Sequence, residues 1–437
     1  MKIQRRHFLK LGLFQAVALG TAQKTFSAPV RSTAQRAEPS ILQGATDDTR
    51  TQFSIVYDRT DLEIYAVNSQ GQRRLPDEVR PISFPNHPKK ILKVFFSNLL
   101  PNETYHLNIM DPLTGKTIDE REFQTLDLNK PTVRFAICSC MNEKEHSPDI
   151  WRNMVNNKPD VLFFIGDSVY ADSGSSGAPD PAYLWQRFCE ARSTLEIYFS
   201  KKLIPIFATW DDHDFGFNDA NSLSYSFVKE SQQNFLSFFA QDESHCRLLE
   251  KGPGVSSALK FRNHLFLLLD DRSFRLPRGS KERYAHWGQE QETWMLNHVR
   301  QNQGPSWLMN GSQFFPAVPW KESVSGDHPF QFQAFLQELK SIPNKVIFAS
   351  GDVHYSEISR IEPEAVGYET FEFTSSSIHS RNFPGVPDVI PNNRRIAGTG
   401  QRNYIMVDSE ISGGVSVFKA TSYAGNNSVK FQKDFKI

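Results

Sequence analysis

The sequence predicts an all-β sandwich followed by an α/β domain whose sheet is largely buried. Three observations indicate this fold class. Short alternating apolar runs separated by turn residues fill positions 51–128, strand-like and helix-like segments alternate over 131–437, and five of those later apolar runs end in clusters of polar residues. A chain of 437 residues is long enough for about two or three domains.

Composition and charge limit the class of protein. The chain has 49 basic and 49 acidic residues and therefore no excess of positive charge. We expect neither a nucleic acid-binding module nor a surface that binds an anionic membrane. Its content of 39% hydrophobic and 12% aromatic residues is enough for a sizeable core and excludes a largely disordered protein.

The N-terminus has the features of an export signal. The pair Arg5 and Arg6 precedes a short apolar stretch, residues 11–19, which is too short to span a membrane. The arginine pair resembles the twin-arginine signal, which is recognised by the machinery that exports folded proteins, and an ordinary secretion signal is the alternative. We predict a signal peptide over 1–28, a linker over 29–50, a periplasmic or secreted protein, and no transmembrane helix in the mature chain.

The first domain, 51–128, has the pattern of a β-sandwich. Runs such as FSIVY, LEIYAV and ETYHLNIM are separated by turn sequences such as NSQGQ and DPLTGK. The segment LLPNETYHLNI resembles the late strand of fibronectin type III-like domains, in which a tyrosine follows a leucine-proline turn. No ionisable cluster occurs in this part of the sequence, so we expect a structural or interaction role for it.

The four cysteines are too few for a disulfide scaffold in a chain of this size. Cys138 and Cys140 flank one serine, a spacing that suits a strand leading into a loop better than a disulfide. Cys189 and Cys246 could pair in an oxidising compartment or remain two buried free thiols, and the sequence leaves both alternatives open.

Five polar clusters in the second domain follow the carboxyl ends of apolar runs. RFAIC leads into SC, VLFFI into GDSVYADS, IPIFATW into DDHD, WLMN into GSQFF, and VIFAS into GDVHYSE. Ligands of open α/β sheets bind beside the carboxyl ends of the strands, so these clusters can converge on one site. DDHD alone places three carboxylates and a histidine in four positions, which repel one another unless a cation compensates. We therefore predict a metal centre at this edge of the sheet.

In this order, the motifs SC, GDxxY, WDDHDxGxND and GDVHxSE resemble those of the alkaline phosphatase D (PhoD-like) family of calcineurin-like metallophosphoesterases. The resemblance covers most of the chain, from about Thr51 to Tyr404. It implies an αββα sandwich for the second domain, a binuclear metal centre, and a hydrolase that acts on phosphoric ester bonds.

The resemblance also implies two sets of metal ligands, which share Asp167. The ligands implied at the first site are Cys140, Asp167, Tyr170 and His354. The ligands implied at the second site are Asp167, Asp212, Gln313 and Asp352, with Asn218 either a further oxygen ligand or a helix-capping residue. Thiolate, phenolate and imidazole together suit Fe3+, whereas the oxygen-only second set suits Ca2+, Mg2+ or Mn2+. Cys138, which lies inside the strand, is expected in the core.

Three further residues have implied roles in the reaction. His213 corresponds to the histidine that faces the leaving group and would act as general acid, and Asp214 would orient it. Arg272, in LDDRSFR, resembles the family's Asp-x-Arg segment and would either grip a phosphate oxygen or pair with Asp270. The role of Asp211 is left open between a site residue and a cap.

These inferences predict an exported phosphoesterase that hydrolyses phosphodiesters, with phosphomonoesters as a further substrate class, by in-line attack of a metal-bound hydroxide. One alternative is an enzyme with the same centre that acts on phospholipids or cell-wall polymers. An alternative from another class is a non-catalytic, metal-bearing surface or adhesion module.

Overall fold

The computed structural model describes residues 36–316, 318, 321–412 and 415–437. The predicted signal peptide and residues 29–35 of the predicted linker lie outside the described residues. No helix in the described ranges is long and apolar enough to cross a membrane.

The N-terminal domain is a sandwich of two antiparallel sheets. Its strands are β1 (Ser40–Gln43), β2 (Thr51–Tyr57), β3 (Glu63–Asn68), β4 (Arg73–Arg74), β5 (Glu78–Ser83), β6 (Lys90–Phe96), β7 (Thr104–Met110) and β8 (Thr117–Gln124). One sheet has the order β1-β2-β6-β5 and the other β4-β3-β7-β8. Phe53 and Ile55 from the first sheet and Leu107 and Ile109 from the second are buried in one core, as the alternating pattern predicts.

Tyr105, which follows the leucine-proline turn, closes a corner of this sandwich. The Leu100 backbone N–H donates to the Tyr105 hydroxyl oxygen at 2.8 Å, and the Tyr105 ring stacks on Phe123 with centroids 5.3 Å apart. A bond from a tyrosine hydroxyl back to the preceding turn is the tyrosine corner of immunoglobulin-like sandwiches. The predicted fibronectin type III-like fold is confirmed.

The sandwich begins inside the segment predicted as a linker. Residues 40–43 form β1, which is buried and pairs antiparallel with β2. The polar residues Ser40 and Gln43 suggest a solvated segment, but both side chains form hydrogen bonds inside the protein. Gln43 donates to Thr51 at 3.3 Å, and Arg192 donates to the Ser40 hydroxyl at 3.0 Å. Because buried polar groups are stable when they are hydrogen-bonded, the linker ends before Ser40 and the predicted start at 51 is corrected.

The second domain contains two mixed sheets. Its strands are β9 (Thr132–Cys138), β10 (Val161–Ile165), β11 (Ile206–Thr209), β12 (Leu249–Lys251), β13 (Ser257–Phe261), β14 (His264–Leu268), β15 (Ser306–Met309), β16 (Val346–Ser350), β17 (Ser356–Ile361), β18 (Thr370–Thr374), β19 (Arg395–Thr399), β20 (Asn403–Ser412), β21 (Val415–Ala424) and β22 (Val429–Lys436). The first sheet has the order β11-β10-β9-β20-β21-β22, and the second has the order β12-β13-β14-β15-β16-β18-β17-β19.

Helices of this domain connect the strands. They are α1 (Pro148–Asn156), α2 (Pro181–Thr194), α3 (Asp212–Phe215), α4 (Val228–Phe238), α5 (Gly288–Gln301), α6 (Val324–Asp327), α7 (Pro329–Lys340), α8 (Pro363–Val366) and α9 (Val386–Val389). Short 3₁₀ helices occupy Glu143–Glu145, Glu196–Phe199 and Glu243–His245.

Three apolar clusters define the layers of the second domain. Between the sheets, Phe135 of β9 packs edge-on against Phe266 of β14 and Trp307 of β15, with centroids 5.1 and 5.0 Å apart. A second cluster joins β9 and β10 to α1, α2 and α4, and a third joins β14, β15 and β16 to α5 and α7. Each sheet is therefore covered by helices on its outer face, which confirms the predicted αββα sandwich.

The strands that carry the polar clusters run in parallel. β9, β10 and β11 are parallel neighbours in the first sheet, and β14, β15 and β16 are parallel neighbours in the second. Their carboxyl ends therefore lie at one edge of each sheet. The loops of the two sheets meet there, because the Thr209 hydroxyl at the end of β11 donates to the Leu269 carbonyl after β14 at 2.6 Å and Ser139 after β9 donates to the Ser375 carbonyl after β18.

Candidate metal centre

All four predicted ligands of the first metal site lie together. The ligand atoms of Cys140, Asp167 and His354 are all within 4.8 Å of one another. Cys140 Sγ is 3.4 Å from Asp167 Oδ2, and the Tyr170 hydroxyl is 3.4 Å from the same oxygen and 3.1 Å from His354 Nε2. Sulfur, phenol, carboxylate and imidazole donors from three separate loops thus face one small volume.

Four of the predicted ligands have a left-handed backbone. The φ angles are 56° at Cys140, 52° at Asp167, 65° at Asp352 and 60° at His354. For a residue other than glycine this conformation costs about 1 kcal/mol, and it concentrates at functional sites. Each loop leaves its strand with a sharp turn that directs the ligand side chain toward the sheet edge.

Three oxygen atoms of the predicted second site are buried and have no hydrogen-bond partner among the described residues. They are Asp167 Oδ1, Gln313 Oε1 and Asp352 Oδ2. Burying a polar atom without a partner is unfavourable, so a cation bound to these atoms would remove the penalty. The fourth predicted ligand, Asp212, belongs to a group with Asp167 and His213 whose ligand atoms lie within 4.8 Å of one another.

The pKa values indicate that the positive charge near the predicted ligands is too small to ionise all of them. Burial, followed by the neighbouring Asp167 carboxylate, raises the pKa of the Cys140 thiol and of the Tyr170 phenol well above their ordinary values. Burial and the Asp212 carboxylate raise the pKa of Asp352 to about 7. These acids ionise together only if cations are added. The donor set therefore fits a metal centre.

His213 is held by Asp172, a residue that the sequence analysis does not assign. Its Nδ1 lies 2.8 Å from Asp172 Oδ1, and its ring packs on Tyr170 with centroids 4.3 Å apart. Burial disfavours the charged imidazolium, but the carboxylates of Asp212, Asp167 and Asp172 outweigh it and raise the pKa of His213 to about 11. The signal that could have identified Asp172 is its position in GDSVYADS, two residues after Tyr170.

Asp214 does not orient His213, which corrects the prediction. One of its carboxylate oxygens accepts hydrogen bonds from the Ser168 hydroxyl and from the Val169 N–H, the latter at 2.9 Å. The other accepts from the Asp211 N–H at 3.1 Å. Asp214 follows His213 on the short helix α3 and points toward the loop after β10, so it joins the two ligand-bearing loops instead.

Arg272 does not face the metal centre with a free guanidinium, which corrects its predicted role. It is fully buried. Asp211 accepts from Nε at 2.7 Å and also from Nη2, Glu322 accepts from Nη1 at 2.9 Å and from Nη2 at 2.8 Å, and the Ala220 carbonyl accepts from Nη1 at 3.2 Å. Asp270 accepts only the Arg272 backbone N–H, at 3.1 Å. A guanidinium has five N–H donors, and these contacts occupy them. Asp211 is therefore the buried ion-pair partner of Arg272.

Asn218 lies on the wall of a cavity beside the centre. Its backbone N–H donates to Asp172 Oδ2 at 3.1 Å, and its side chain lines a cavity of about 250 Å³ together with Asp352 and Lys321. A ligand role for its side-chain oxygen stays a prediction.

Two more residues support predicted ligands. Ser376 donates its hydroxyl to Cys140 Sγ at 3.1 Å and accepts the His354 N–H at 2.8 Å. Glu357, buried after β16, accepts a hydrogen bond from the Gln313 amide at 3.4 Å and forms an ion pair with Arg395 at 2.5 Å. Their partners come from distant parts of the chain, so no local motif identifies them.

The three cysteines other than Cys140 are buried free thiols. Cys138 is buried in the core, with its sulfur 3.8 Å from the sulfur of Met154, as the sequence predicts. Cys189 and Cys246 are both buried free thiols. The disulfide alternative is therefore wrong for this pair.

Comparisons with known proteins agree with this fold. Over 338 residues the chain is 24% identical to alkaline phosphatase D of Bacillus subtilis (strain 168), a match that covers 66% of this chain and 56% of that protein's length. The solved structure of PhoD has a TM-score of 0.70 with 16% identity, and the match covers 94% of this chain and 93% of the other.

Two further comparisons do not support any assignment of fold or function. A predicted phosphoesterase from Streptococcus pneumoniae TIGR4 matches 70% of this chain and 99% of its own, with 11% identity and a TM-score of only 0.27. No family model matches the chain.

The paired sheets and their ligand-bearing loops define an α/β fold of the phosphoesterase type with a candidate metal site. Within that class, the chain is similar in sequence to alkaline phosphatase D and matches the structure of PhoD over 94% of its length. The chain is PhoD-like in sequence and in fold, as its motifs predict.

Proposed function

We propose that this protein is an exported phosphoric ester hydrolase that uses a binuclear metal centre to cleave phosphodiesters and phosphomonoesters. The observation that carries the proposal is the set of buried, unpartnered oxygens of Asp167, Gln313 and Asp352 beside the donor cluster of Cys140 and His354. The similarity to alkaline phosphatase D supports this reaction class.

The donor atoms favour different metals at the two sites. Cys140, Tyr170, His354 and the shared Asp167 offer thiolate, phenolate, imidazole and carboxylate, a set that suits Fe3+. The second set offers only oxygen and suits Ca2+, or else Mg2+ or Mn2+. When bound, two such ions supply Lewis acidity to the phosphoryl group and lower the pKa of a bound water to about 7.

His213 is the proposed general acid that protonates the leaving group. Because Asp172 accepts from Nδ1, the proton on Nε2 is left for another acceptor. The side chain is 15% exposed, so this edge of the ring can reach a bound ester. A general acid in this position gives the departing oxygen a proton as the phosphorus–oxygen bond breaks.

The N-terminal sequence supports export. The arginine pair and the short apolar stretch after it fit recognition by the twin-arginine machinery, and the periplasm or the medium is the proposed location. Because that pathway carries folded proteins, both metals would be bound before export.

A substrate panel tests the proposal. The metal-loaded protein is assayed at alkaline pH with bis(4-nitrophenyl) phosphate, 4-nitrophenyl phosphate and phosphatidylcholine vesicles, and released product is measured against an Asp167→Asn variant as control. We expect diester and monoester hydrolysis that the variant lacks. Hydrolysis of phospholipid alone would move the proposal to the phospholipase alternative. A protein that holds two metals per chain but cleaves no ester would support the non-catalytic alternative.

A further inference from the structure

A cavity of about 250 Å³ opens beside the candidate metal centre. The predicted ligand Asp352 forms one part of its wall, and Leu276 and Pro277 form another. Asn218 and Lys321 also line it, and Lys321 is exposed. We call this space the Lys321 cavity. It is large enough for a phosphate group with part of its alcohol, and it reaches the buried, unpartnered Asp352 Oδ2.

The arginines around the Lys321 cavity are already paired. Arg275 is buried and donates to Ser312 at 2.9 Å and to Asp327 at 2.7 Å, and its guanidinium lies 3.1 Å from the Glu322 carboxylate. Arg278 forms an ion pair with Asp327 at 3.3 Å. These cations balance carboxylates of the protein itself, so binding a substrate anion to them would break existing pairs.

Lys321 differs from these arginines. It has no ion pair within the part of the chain that the structure describes, and its backbone is fixed by a hydrogen bond from its N–H to the Val318 carbonyl at 3.0 Å. The positive charge of Lys321 acts on the candidate metal centre from the side of the Lys321 cavity. Burial is the main influence on the pKa values of Asp352 and His354, and the Lys321 ammonium is among the groups that lower both.

Metal ions at the centre would neutralise Asp352 and Asp212, which leaves Asp219 as the carboxylate on the cavity wall that still interacts with the Lys321 ammonium. An ammonium bonds strongly to phosphate oxygens. We infer that Lys321 binds a non-bridging oxygen of the substrate's phosphoryl group, which is one of the two roles that the resemblance implies for Arg272. This inference rests on the proposed function.

A Lys321 ammonium at this position would also affect the selectivity between monoester and diester substrates. A monoester phosphate carries two negative charges at alkaline pH and a diester carries one, so an ammonium favours the monoester more strongly by Coulomb attraction. Lys321 is therefore a specificity-determining residue, and removing its charge should raise KM for monoesters more than KM for diesters.

The test compares Lys321→Gln, which removes the charge, with Lys321→Arg, which keeps it, and with Lys116→Gln on the exposed β7–β8 turn as the matched control. Each metal-loaded protein is assayed for kcat and KM on 4-nitrophenyl phosphate and on bis(4-nitrophenyl) phosphate. Binding of inorganic phosphate is measured separately by calorimetry, and metal content is measured per chain. The phosphate titration needs no turnover.

For Lys321→Gln we expect KM for the monoester and the dissociation constant for phosphate to rise about tenfold, the loss of one charge-assisted hydrogen bond. The diester KM should rise less, and kcat and metal content should stay near those of the parent protein. Lys321→Arg should retain most phosphate binding. Unchanged phosphate binding in Lys321→Gln would overturn the inference, as would a loss of metal that explains the weaker binding. If the parent protein cleaves no ester, the proposed function fails, and the phosphate titration still decides the role of Lys321.

Discussion

Asp172 and His213 form a hydrogen-bonded pair, with Asp172 Oδ1 2.8 Å from His213 Nδ1. The same carboxylate receives the Asn218 N–H through its other oxygen at 3.1 Å. Asp172 is thus fixed from two sides and sets the direction of the imidazole ring. A histidine that must hand a proton to a leaving group depends on such a partner for its orientation and tautomer.

The Asp172→Asn variant should slow turnover without removing metal. Because a general acid matters most when the leaving alcohol is a poor one, the fall in kcat should be about 100-fold for an alkyl phosphate ester and much smaller for 4-nitrophenyl esters. His213→Ala should show the same dependence on the leaving group. Steady-state rates on both ester types and metal content test this, with the exposed Asp149→Asn as control. An equal loss on both esters would assign Asp172 a structural role only.

Metal analysis tests the two donor sets. Protein purified with its own metals should contain about one iron per chain and one further divalent ion, since the Cys140 and Tyr170 donors suit a ferric ion. Cys140→Ser should reduce iron while retaining the divalent ion, because Cys140 belongs to the group with Asp167 and His354 only. Zinc as the sole metal in the parent protein would contradict the assignment.

Arg272 should contribute to stability and not to substrate binding. Arg272→Met leaves the buried Asp211 carboxylate without its ion-pair partner, whereas Glu322 keeps Arg275, and breaking a buried ion pair costs about 3–5 kcal/mol. Arg300→Met is the control, because Arg300 and Glu338 form an exposed pair worth less than about 1 kcal/mol. Urea unfolding measures both. A stable Arg272→Met protein with a raised KM would restore the predicted phosphate-binding role.

The sequence predicts which residues at the strand ends lie together, but it does not predict the residues that support them. Cys140, Asp167 and His354 are predicted correctly as neighbours because each directly follows a strand end, and parallel strands bring their ends to one edge. The pairings of Asp214 and Arg272 depend on which way a side chain turns within a loop, which spacing does not encode. The prediction names the adjacent Asp214 as the partner of His213, whereas the fold supplies Asp172 from another loop.

The start of the β-sandwich illustrates the same limit in the fold. Alternation of apolar residues predicts β2, whose Phe53 and Ile55 enter the core. Strand β1 has polar residues at both ends, Ser40 and Gln43, and their partners Arg192 and Thr51 are outside it. Composition alone cannot distinguish a polar strand that finds such partners from a solvated linker.

Stability should fall in mild acid, partly because of His264. This histidine is buried between the sheets, with Nε2 3.1 Å from the Ser409 hydroxyl, and burial lowers the pKa of His264 to about 4. In the unfolded chain its pKa is about 6.5. As the pH falls, the unfolded state therefore takes up a proton on this histidine before the folded state does. The contribution of neutral His264 to the free energy of unfolding is complete above about pH 6.5. It is lost as the pH falls toward 4, by about 3 kcal/mol in total.

His264→Asn should flatten the pH dependence of the unfolding free energy between pH 6.5 and 4, and His106→Asn, at an exposed position, should leave it unchanged. Denaturant unfolding at several pH values in that range measures both slopes. Equal slopes in the two variants would contradict the assignment.

Glu357 should control metal retention at the second site. The Gln313 amide nitrogen donates to Thr374 at 2.9 Å and to Glu357 at 3.4 Å, which fixes the amide so that its unpartnered oxygen faces away from both. Arg395 holds Glu357 in turn. Removing a partner that orients a ligand typically weakens metal binding by about 10–100-fold.

Glu357→Gln should therefore lose the second metal more readily than the first. Dialysis against graded chelator, followed by metal analysis, measures the retention of each ion. Glu362→Gln is the matched control, because Glu362 also pairs with an arginine, Arg394, but at a half-exposed position with no contact to Gln313. Since Glu357 touches Gln313 and none of the first-site donors, iron should stay at the parent level while the divalent ion is lost. Parallel loss of both ions would mean that Glu357 stabilises the whole centre through Arg395 and does not act through Gln313.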